Sequence, residues 1–211
     1  MFDVTSFIKT AGYIGVAGIV FAESGLLVGF FLPGDSLLFT AGFLASQGYI
    51  NIHLLAVLVF IAAVAGDSVG YSLGRQIGPK IFNREKSLFF NKRHADRAHN
   101  FYVKHGGKAV TLARFLPVVR TFAPTIAGVG HMKYRKFLAY NILGAAIWAV
   151  GLPYIGYWAG ASIPGIETYI GRIVLAILVL SFLPGVIHVL RDKNDRALLI
   201  AGIKKVFSNK V

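Results

Sequence analysis

The chain has 211 residues, of which 55% are hydrophobic and only 15% are charged. Because soluble domains carry about 25% charged residues, this composition excludes a disordered chain and argues against a water-soluble globule. Cysteine is absent, which excludes a disulfide framework and a cysteine-ligated metal site. Lys and Arg number 22 against 9 Asp and Glu, a net charge of +13. In a chain this apolar, a basic excess indicates the cytoplasmic loops of a membrane protein more than nucleic-acid binding.

Four apolar stretches are long enough to cross a bilayer, which takes about 20 residues in a helix. Two further apolar stretches are poor spans. Ser36–Ser46 is too short, and Lys108–Gly130 contains two arginines and two prolines. The predicted spans are Gly12–Leu32, Leu54–Leu73, Phe137–Gly160 and Tyr169–Leu190.

Lysine and arginine are unevenly distributed between these spans. Ser46–His53 and Ala161–Thr168 contain none, whereas 79–107 and the tail 191–211 are strongly basic. The positive-inside rule therefore places the two basic segments in the cytoplasm and the two uncharged loops outside. Four crossings then put both termini in the cytoplasm.

Neither poor span can be a full crossing without breaking this charge pattern. If Lys108–Gly130 crossed, the basic loop His131–Lys136 would face outside. We therefore predict two re-entrant elements: Ser36–Ser46 enters from outside, and Lys108–Gly130 enters from the cytoplasm.

Two segments are predicted to lie on the membrane surface. Asn91–His105 is basic and has apolar residues at three- and four-residue spacing, which is typical of a helix on the inner surface. The N-terminus does not look like a cleavable signal, since no small-residue cleavage site follows its long apolar run. A short interfacial helix is favoured there by Phe2, Val4, Phe7 and Ile8.

The two halves of the chain resemble each other at an offset of 86 residues. At this offset Ala41-Gly42 aligns with Ala127-Gly128, and Gly70-Tyr71 aligns with Gly156-Tyr157. Each half has one re-entrant element followed by one span. The loop charges give these two spans opposite directions across the membrane, so the repeat is inverted. Glycine-spaced membrane helices can also match by composition alone, which is the alternative reading.

The predicted fold class is therefore an all-α polytopic membrane protein. It has four full spans, two re-entrant hairpins in an inverted repeat, and short interfacial helices. We expect one domain over residues 1–211. Its repeat halves are 12–78 and 108–161, with a basic cytoplasmic loop at 79–107 and a cytoplasmic tail at 191–211.

Among the ionisable residues in or next to these apolar stretches, four are candidates for a functional site: Glu23, Asp35, Arg114 and Arg120. A carboxylate at the centre of a membrane helix costs about 2.5–3.5 kcal/mol, so it is expected to face protein, water or an opposite charge. Simpler interpretations exist: a protonated Glu23 within the bundle, Asp35 as a helix cap, and arginines that reach the interface. Two carboxylates in one half and two guanidiniums in the other nevertheless form a compensating set.

Helix-breaking residues accompany these charges. Broken backbone is tolerated in a membrane only within protein or around a cavity, so the sequence predicts a polar cavity near mid-membrane. In it, the carboxylates would carry protons and the arginines would hold an anionic group. The predicted turns and breaks are at Pro33, Gly34, Pro117, Pro124 and Gly128.

Other polar residues have less specific roles. Asp67 is interpreted as a local cap or a partner for Arg75 near the cytoplasmic face. Asn141 and Trp148 either hydrogen-bond across the bundle or simply pack. The histidines lack metal-site spacing, so we expect neither a metal nor a cofactor.

The motifs around these residues resemble the DedA family of bacterial inner-membrane proteins, also called the SNARE-associated or VTT-domain family. The resemblance covers nearly the whole chain, and the combination of motifs is highly specific. They are E-S-G-L-L-V from Glu23, F-L-P-G-D-S-L-L-F at Phe31–Phe39, G-D-S-V-G-Y at Gly66–Tyr71, K-H-G-G-K at Lys104–Lys108, A-R-F-L-P-V-V-R-T-F-A-P at Ala113–Pro124, Ala127-Gly128, G-H-M at Gly130–Met132, and Asn141, Gly144 and Trp148 in N-x-x-G-x-x-x-W.

This resemblance implies two re-entrant loops and a location in the bacterial inner membrane. It also implies roles in envelope homeostasis, proton-motive-force maintenance and resistance to alkaline pH or cationic antimicrobials. Family members are implicated in returning undecaprenyl phosphate or phosphatidylethanolamine across the membrane, and related eukaryotic proteins scramble phospholipids. The family's essential acidic and basic residues correspond to Glu23, Asp35, Arg114 and Arg120.

The first functional hypothesis is a proton-coupled translocase for a lipid phosphate, whose partners are membrane lipids with an anionic head group and protons. The alternative is a proton-coupled antiporter of small cations or cationic drugs. A membrane enzyme such as a lipid phosphatase is not expected, because the sequence has no nucleophile system at membrane depth. The GxxxG spacing of Gly25 and Gly29 permits a homodimer but equally permits packing within one chain.

Overall fold

A computed structural model describes residues 4–26, 33–81, 100–102, 104–177 and 179. All regular secondary structure in these residues is helical. The helices are α1 (Val4–Gly25), α2 (Gly34–Ser46), α3 (Ile52–Ile81), α4 (Lys108–Ala113), α5 (Pro117–Val129) and α6 (Tyr134–Ser162). Residues 100–102, 104–105 and 170–177 are also helical.

Two helices are long and apolar enough to cross a membrane. They are Ile52–Gly78 in α3, with 27 residues, and Tyr134–Ser162, with 29. At 1.5 Å per residue they are about 40 and 43 Å long, compared with about 30 Å for the hydrocarbon core of a bilayer. They contain the second and third predicted spans, and both extend several residues beyond the predicted ends.

The start of α3 follows from local sequence. The Asn51 side-chain oxygen accepts hydrogen bonds from the backbone N–H groups of His53 at 2.9 Å and Leu54 at 3.1 Å. It thereby satisfies donors that have no partner within the helix. The backbone N–H of Asn51 donates to the Tyr13 hydroxyl at 2.6 Å. Helix α1 is broken at Gly12, where the backbone has φ +56° and ψ −149°. The part of α1 that begins at Tyr13, directly after this break, therefore lies beside the loop that precedes α3.

The described part of the first predicted span is shorter than the prediction. Helix α1 ends at Gly25, and the close approach of Gly25 to the Gly66 backbone puts this end about halfway along α3. The apolar part Ala11–Gly25 is also shorter than a span. Residues 27–32 lie outside the described residues, so the predicted crossing over Gly12–Leu32 is not confirmed and stays a prediction.

Helix α2 runs in the opposite direction to α1. Asp35 in its first turn bonds to the middle of the fold, and its end at Ser46 leads into the loop that lies beside Tyr13. Helices α1 and α2 therefore form a hairpin that opens towards one end of α3. Residues 27–32, which follow α1 in sequence, lie outside the described residues.

Helices α4 and α5 form a second hairpin that opens towards the other end of α3. Helix α4 runs beside α6: the Thr111 hydroxyl donates to the Tyr140 carbonyl at 2.8 Å, and Gly144 lies against Arg114. Helix α5 returns along α3, and beyond its end the hydroxyl of Tyr71 donates to the Met132 carbonyl. Each hairpin ends near the middle of the long helices.

Glycines allow each returning helix to contact a long helix of the other half. Gly42 and Gly156 connect α2 with α6, whereas Gly74 and Gly128 connect α5 with α3, and in each case a Cβ would overlap a backbone carbonyl. The contact of Phe39 with Gly156 has a counterpart in that of Thr125 with Gly74. The 86-residue offset relates Phe39 to Thr125 directly. It relates Gly156 to Gly70, which is one helical turn from Gly74. The two helix pairs therefore pack alike.

A buried apolar core lies among α1, α2, α3 and α6, around Leu37, Leu55 and Val59. A smaller cluster around Tyr71 and Phe137 lies at the opposite end, next to α5. The charged side chains described below lie between these two clusters. Several predicted features fall wholly or mostly outside the described residues, namely the fourth span, most of Asn91–His105, most of the basic loop and the tail.

Candidate functional site

Arg120 lies at the centre of a buried cluster. Its Nη1 donates to Asp35 Oδ1 at 2.6 Å, and its Nη2 donates to a carboxylate oxygen of Glu23. The side chains of Arg120 and Glu23 are each 4% exposed, whereas that of Asp35 is 16% exposed. One guanidinium thus joins two carboxylates that are separated from it by 97 and 85 residues of chain.

The local sequence explains why these groups meet. Glu23 is in the last turn of α1, Asp35 is in the first turn of α2, and Arg120 is in the first turn of α5. Pro33 precedes the first residue of α2, and Pro117 is the first residue of α5, where a missing N–H costs nothing. The two proline-initiated helices therefore begin at the same charged cluster.

Gly34 is required at its position by the carboxylate of Glu23. A Cβ atom on Gly34 would overlap both carboxylate oxygens of that residue. The side chain of Glu23 therefore lies directly against the backbone at the start of α2. This contact explains the Pro33-Gly34-Asp35 sequence in physical terms: one residue starts the helix, one makes room, and one binds Arg120.

Arg114 forms a second buried centre. It follows α4 directly, and its Nη2 donates to Asp67 and, at 2.5 Å, to Asn141 Oδ1. The Nδ2 of Asn141 donates in turn to the Val64 carbonyl at 3.2 Å. Arg114 is 2% exposed, so it does not reach the interface.

This geometry corrects the interpretation of Asp67. The residue is buried in the middle of α3, not near its cytoplasmic end, and it pairs with Arg114. Arg75, its expected partner, instead donates to the Tyr71 hydroxyl at 3.1 Å. The error came from ending the predicted span at Leu73. With α3 extended to Ile81, Asp67 would have been recognised as a carboxylate at membrane depth.

Trp148 lies between the two centres. Its indole N–H donates to Asp35 Oδ1 at 2.8 Å. The guanidinium carbon of Arg120 is 4.3 Å from the centroid of the indole ring, and that of Arg114 is 5.7 Å away. Both lie within the range of a cation–π interaction. Asn141 and Trp148 thus both hydrogen-bond across the bundle rather than merely pack.

The helix that carries Trp148 is widened at that point. Residues Ala146–Val150 form a π-helical turn within α6. Pro153 lacks an N–H and cannot donate to the Ala149 carbonyl four residues earlier, which weakens the α-helical pattern there. Single π turns occur frequently at functional sites.

The two centres lie halfway along the long helices. Trp148 is 14 residues from both Tyr134 and Ser162, about 21 Å from either end of α6. Asp67 is about 22 Å from Ile52 and about 17 Å from Gly78. The charged residues are therefore at the depth where a bilayer would be most apolar.

The charges do not cancel. Three carboxylates, of Glu23, Asp35 and Asp67, are paired with two guanidiniums, a sum of −1 if all are ionised. Within the described part of the chain, several buried polar atoms lack a hydrogen-bond partner. Such atoms need an explanation in a native fold, and here three of them are arginine nitrogens that could bind an anion. They are Arg114 Nε, Arg114 Nη1 and Arg120 Nε.

Two of the predicted helix breaks are absent. Helix α5 continues through Pro124 and includes Gly128. Pro124 is fully buried, with its ring near Gly70, and Gly128 lies against the α3 backbone. Tight packing on α3 therefore maintains a helix that proline alone would tend to break. Among the described residues, no group of three or more His, Asp or Glu side chains could hold a metal ion.

Comparison with known proteins agrees with these features. A profile of the VTT domain matches residues 32–158, which include every residue of the two centres except Glu23. The DedA protein of Escherichia coli K12 is 49% identical over 181 residues, covering 85% of this chain and 82% of that protein. The chain belongs to the DedA family. No solved structure gives a significant match.

More distant relatives are also membrane proteins by name. An uncharacterized membrane protein of Mycobacterium leprae is 44% identical, covering 80% of this chain and 75% of its own length. The inner membrane protein YqjA of E. coli K12 is 35% identical, covering 68% of this chain and 66% of that protein. Together with its apolar helices, these relatives identify the chain as a helical membrane protein.

Proposed function

We propose that the protein translocates a lipid phosphate, either undecaprenyl phosphate or a phospholipid, across the bacterial inner membrane with coupling to protons. The observation that carries this proposal is the buried Arg120, whose two terminal nitrogens each donate to a different carboxylate. A planar guanidinium suits the bidentate binding of phosphate as well as of carboxylate. No chemical conversion and no cofactor are part of the proposal.

Proton coupling follows from competition for the same donors. A phosphate can bind Nη1 and Nη2 of Arg120 only if Asp35 and Glu23 give up their hydrogen bonds. Protonation removes the charge of a carboxylate and weakens its pairing with the guanidinium. Protons on Glu23 and Asp35 would therefore accompany the bound phosphate, and their release would expel it. Asp35 is the more exposed of the two, so protons have easier access to it.

The two short helices support binding of an anionic group. Helices α2 and α5 both begin at the charged cluster and have 13 residues each. The N-terminus of a helix carries a partial positive charge and free backbone N–H groups, which favour anions. The excess carboxylate keeps the empty site from being cationic.

We further propose that the two hairpins are re-entrant and form an inverted repeat. Hairpin α1–α2 would enter from the periplasm, and hairpin α4–α5 from the cytoplasm. The similar packing of α2 on α6 and of α5 on α3 supports this arrangement. In this topology Tyr13 is on the same side as the uncharged loop at Asn51, so the part of α1 that follows Gly12 begins at the periplasmic side.

Reconstitution into liposomes tests the function. Protein is mixed with labelled undecaprenyl phosphate or labelled phospholipid, and flipping is measured at two pH values. We expect flipping by the native protein, faster when the carboxylates are protonated, and loss of flipping with Arg120→Ala. Unchanged flipping by Arg120→Ala would exclude the role assigned to this residue. Arg172→Ala, a change at an exposed site, is the matched control.

The excess of carboxylates over guanidiniums favours a second candidate, a proton-coupled antiporter of small cations or cationic drugs. In that case the carboxylates would hold the substrate and the arginines would be structural. Glu23→Gln would abolish coupling in both cases and does not discriminate. Changing both Arg114 and Arg120 to Lys does: cation export should survive, whereas flipping of a lipid phosphate should weaken.

A further inference from the structure

A second feature lies beside hairpin α4–α5. A groove of about 600 Å³ is lined by residues of this hairpin and by Phe101, Tyr102 and His105. Its walls are almost entirely apolar, and many of the side chains that line it are exposed. The lining includes the apolar residues Leu112, Leu116, Val119 and Ile126 and the basic residues Lys108 and His105.

The charged end of the groove is well defined. His105 and Lys108 flank the turn at Gly106, where the backbone has φ +65°. A Cβ atom on Gly106 would lie 3.4 Å from the Nζ of Lys136, which brings a second ammonium group to this turn. Beyond the turn, the lining from Leu112 onwards is apolar. The groove is therefore apolar, and basic side chains flank the turn beside it.

One wall of the groove is fixed by a hydrogen bond. The Tyr102 hydroxyl donates to the Ala123 carbonyl at 3.0 Å, and both residues line the groove. Burial raises the pKa of Tyr102 to about 12, so this hydroxyl remains a donor at physiological pH. This hydrogen bond holds Tyr102 against α5 and so fixes one wall of the groove.

We propose that this groove binds the hydrocarbon chain of a lipid phosphate, with Lys108 and His105 binding the phosphate at its cytoplasmic end. This inference rests on the proposed function and specifies where the lipid waits. Both halves of such a lipid are matched, since the head is anionic and the chain is apolar. Leu116 lies between α4 and α5, and in sequence it lies between Arg114 and Arg120. A lipid bound at Leu116 therefore contacts the segment that carries both arginines.

Fluorescence quenching by brominated lipids tests this site. The variant Leu116→Trp is placed in a Trp158→Phe background and compared with the background protein, which keeps Trp148. Proteoliposomes contain phosphatidic acid or phosphatidylcholine with the same brominated chains at the same low mole fraction. The matched control is Leu143→Trp, since Leu143 is an exposed apolar residue on α6.

We expect phosphatidic acid to be enriched at the tryptophan of Leu116→Trp by about fivefold over phosphatidylcholine, as one exposed charge pair of about 1 kcal/mol would give. Adding Lys108→Gln and His105→Gln should remove the preference. Leu143→Trp should be quenched equally by both lipids. Equal quenching at position 116, a preference that survives loss of both basic residues, or the same preference at position 143 would overturn the proposal.

The same preparations separate this proposal from the proposed function. Flipping without a lipid preference at the groove would leave the function standing and exclude the groove. A preference for phosphatidic acid at the groove without flipping would exclude the proposed function and leave lipid binding at the groove standing. A second copy of the chain is the other candidate occupant. Because the chain has no cysteine, Leu112→Cys would form a disulfide-linked dimer only across such an interface, and its formation in the membrane would overturn lipid binding there.

Discussion

The centres around Arg120 and Arg114 differ in how many nitrogen atoms of the arginine donate hydrogen bonds to other side chains. Arg120 binds two carboxylates through two nitrogens, and one of these carboxylates, Asp35, is partly exposed. Arg114 binds Asp67 and Asn141 through a single nitrogen, and both partners are fully buried. The first centre has an excess of negative charge, whereas the second is balanced.

This difference assigns the two centres different roles. A balanced pair within the bundle, whose amide also bonds to the Val64 carbonyl, connects α4, α3 and α6 and stabilises the fold. An unbalanced cluster with one partly exposed carboxylate can change its charge without losing every contact of its arginine. We therefore expect substrate and proton exchange mainly at Arg120, and a mainly structural contribution from Arg114.

The largest effect is expected from Arg114→Ala. It leaves Asp67 as an unpaired buried charge, and breaking a buried pair in this way costs about 3–5 kcal/mol. Thermal unfolding in detergent should show a large loss of stability. Combining Arg114→Leu with Asp67→Leu should restore much of it, because both charges are then removed. A stable Arg114→Ala protein that no longer flips lipid would instead give Arg114 the same role as Arg120.

A smaller effect is expected from Gly34→Ala. The added methyl group displaces the Glu23 carboxylate from its position beside Arg120, and such overpacking costs about 1–3 kcal/mol. Flipping should fall more than stability does, which is measured by comparing both in one preparation. Gly18→Ala is the control, since a Cβ there meets no atom within 4 Å. Equal flipping by the two variants would show that the position of Glu23 does not matter.

The smallest effect is expected from Trp148→Phe. Phenylalanine keeps a ring between the two guanidiniums but loses the hydrogen bond to Asp35, which is worth about 1 kcal/mol. The flipping rate should change several-fold, and its pH dependence should shift because Asp35 loses a donor. Trp158→Phe changes a tryptophan that is 66% exposed and serves as control. A pH profile identical to that of the native protein would separate Trp148 from proton exchange.

The charged set could be recognised from the sequence because ionisable residues in apolar stretches are costly. Glu23, Asp35, Arg114 and Arg120 stand out for that reason alone, and the structure brings all four to the same region. Asp67 could not be recognised with the predicted boundary of α3, since a carboxylate near a span end has ordinary explanations. The pairing of each arginine was also beyond the sequence, because it depends on contacts between residues 47 to 97 positions apart.

The amino-acid sequence by itself determined that the chain is helical, that it belongs in a membrane and that charges occur at depth. Each of these properties follows from local composition and from the cost of placing a charge among apolar residues. Only the tertiary structure decided where α1 packs on α3. Gly25, the last residue of α1, lies against Gly66 about halfway along α3, and a packing contact between distant glycines has no signature in hydropathy.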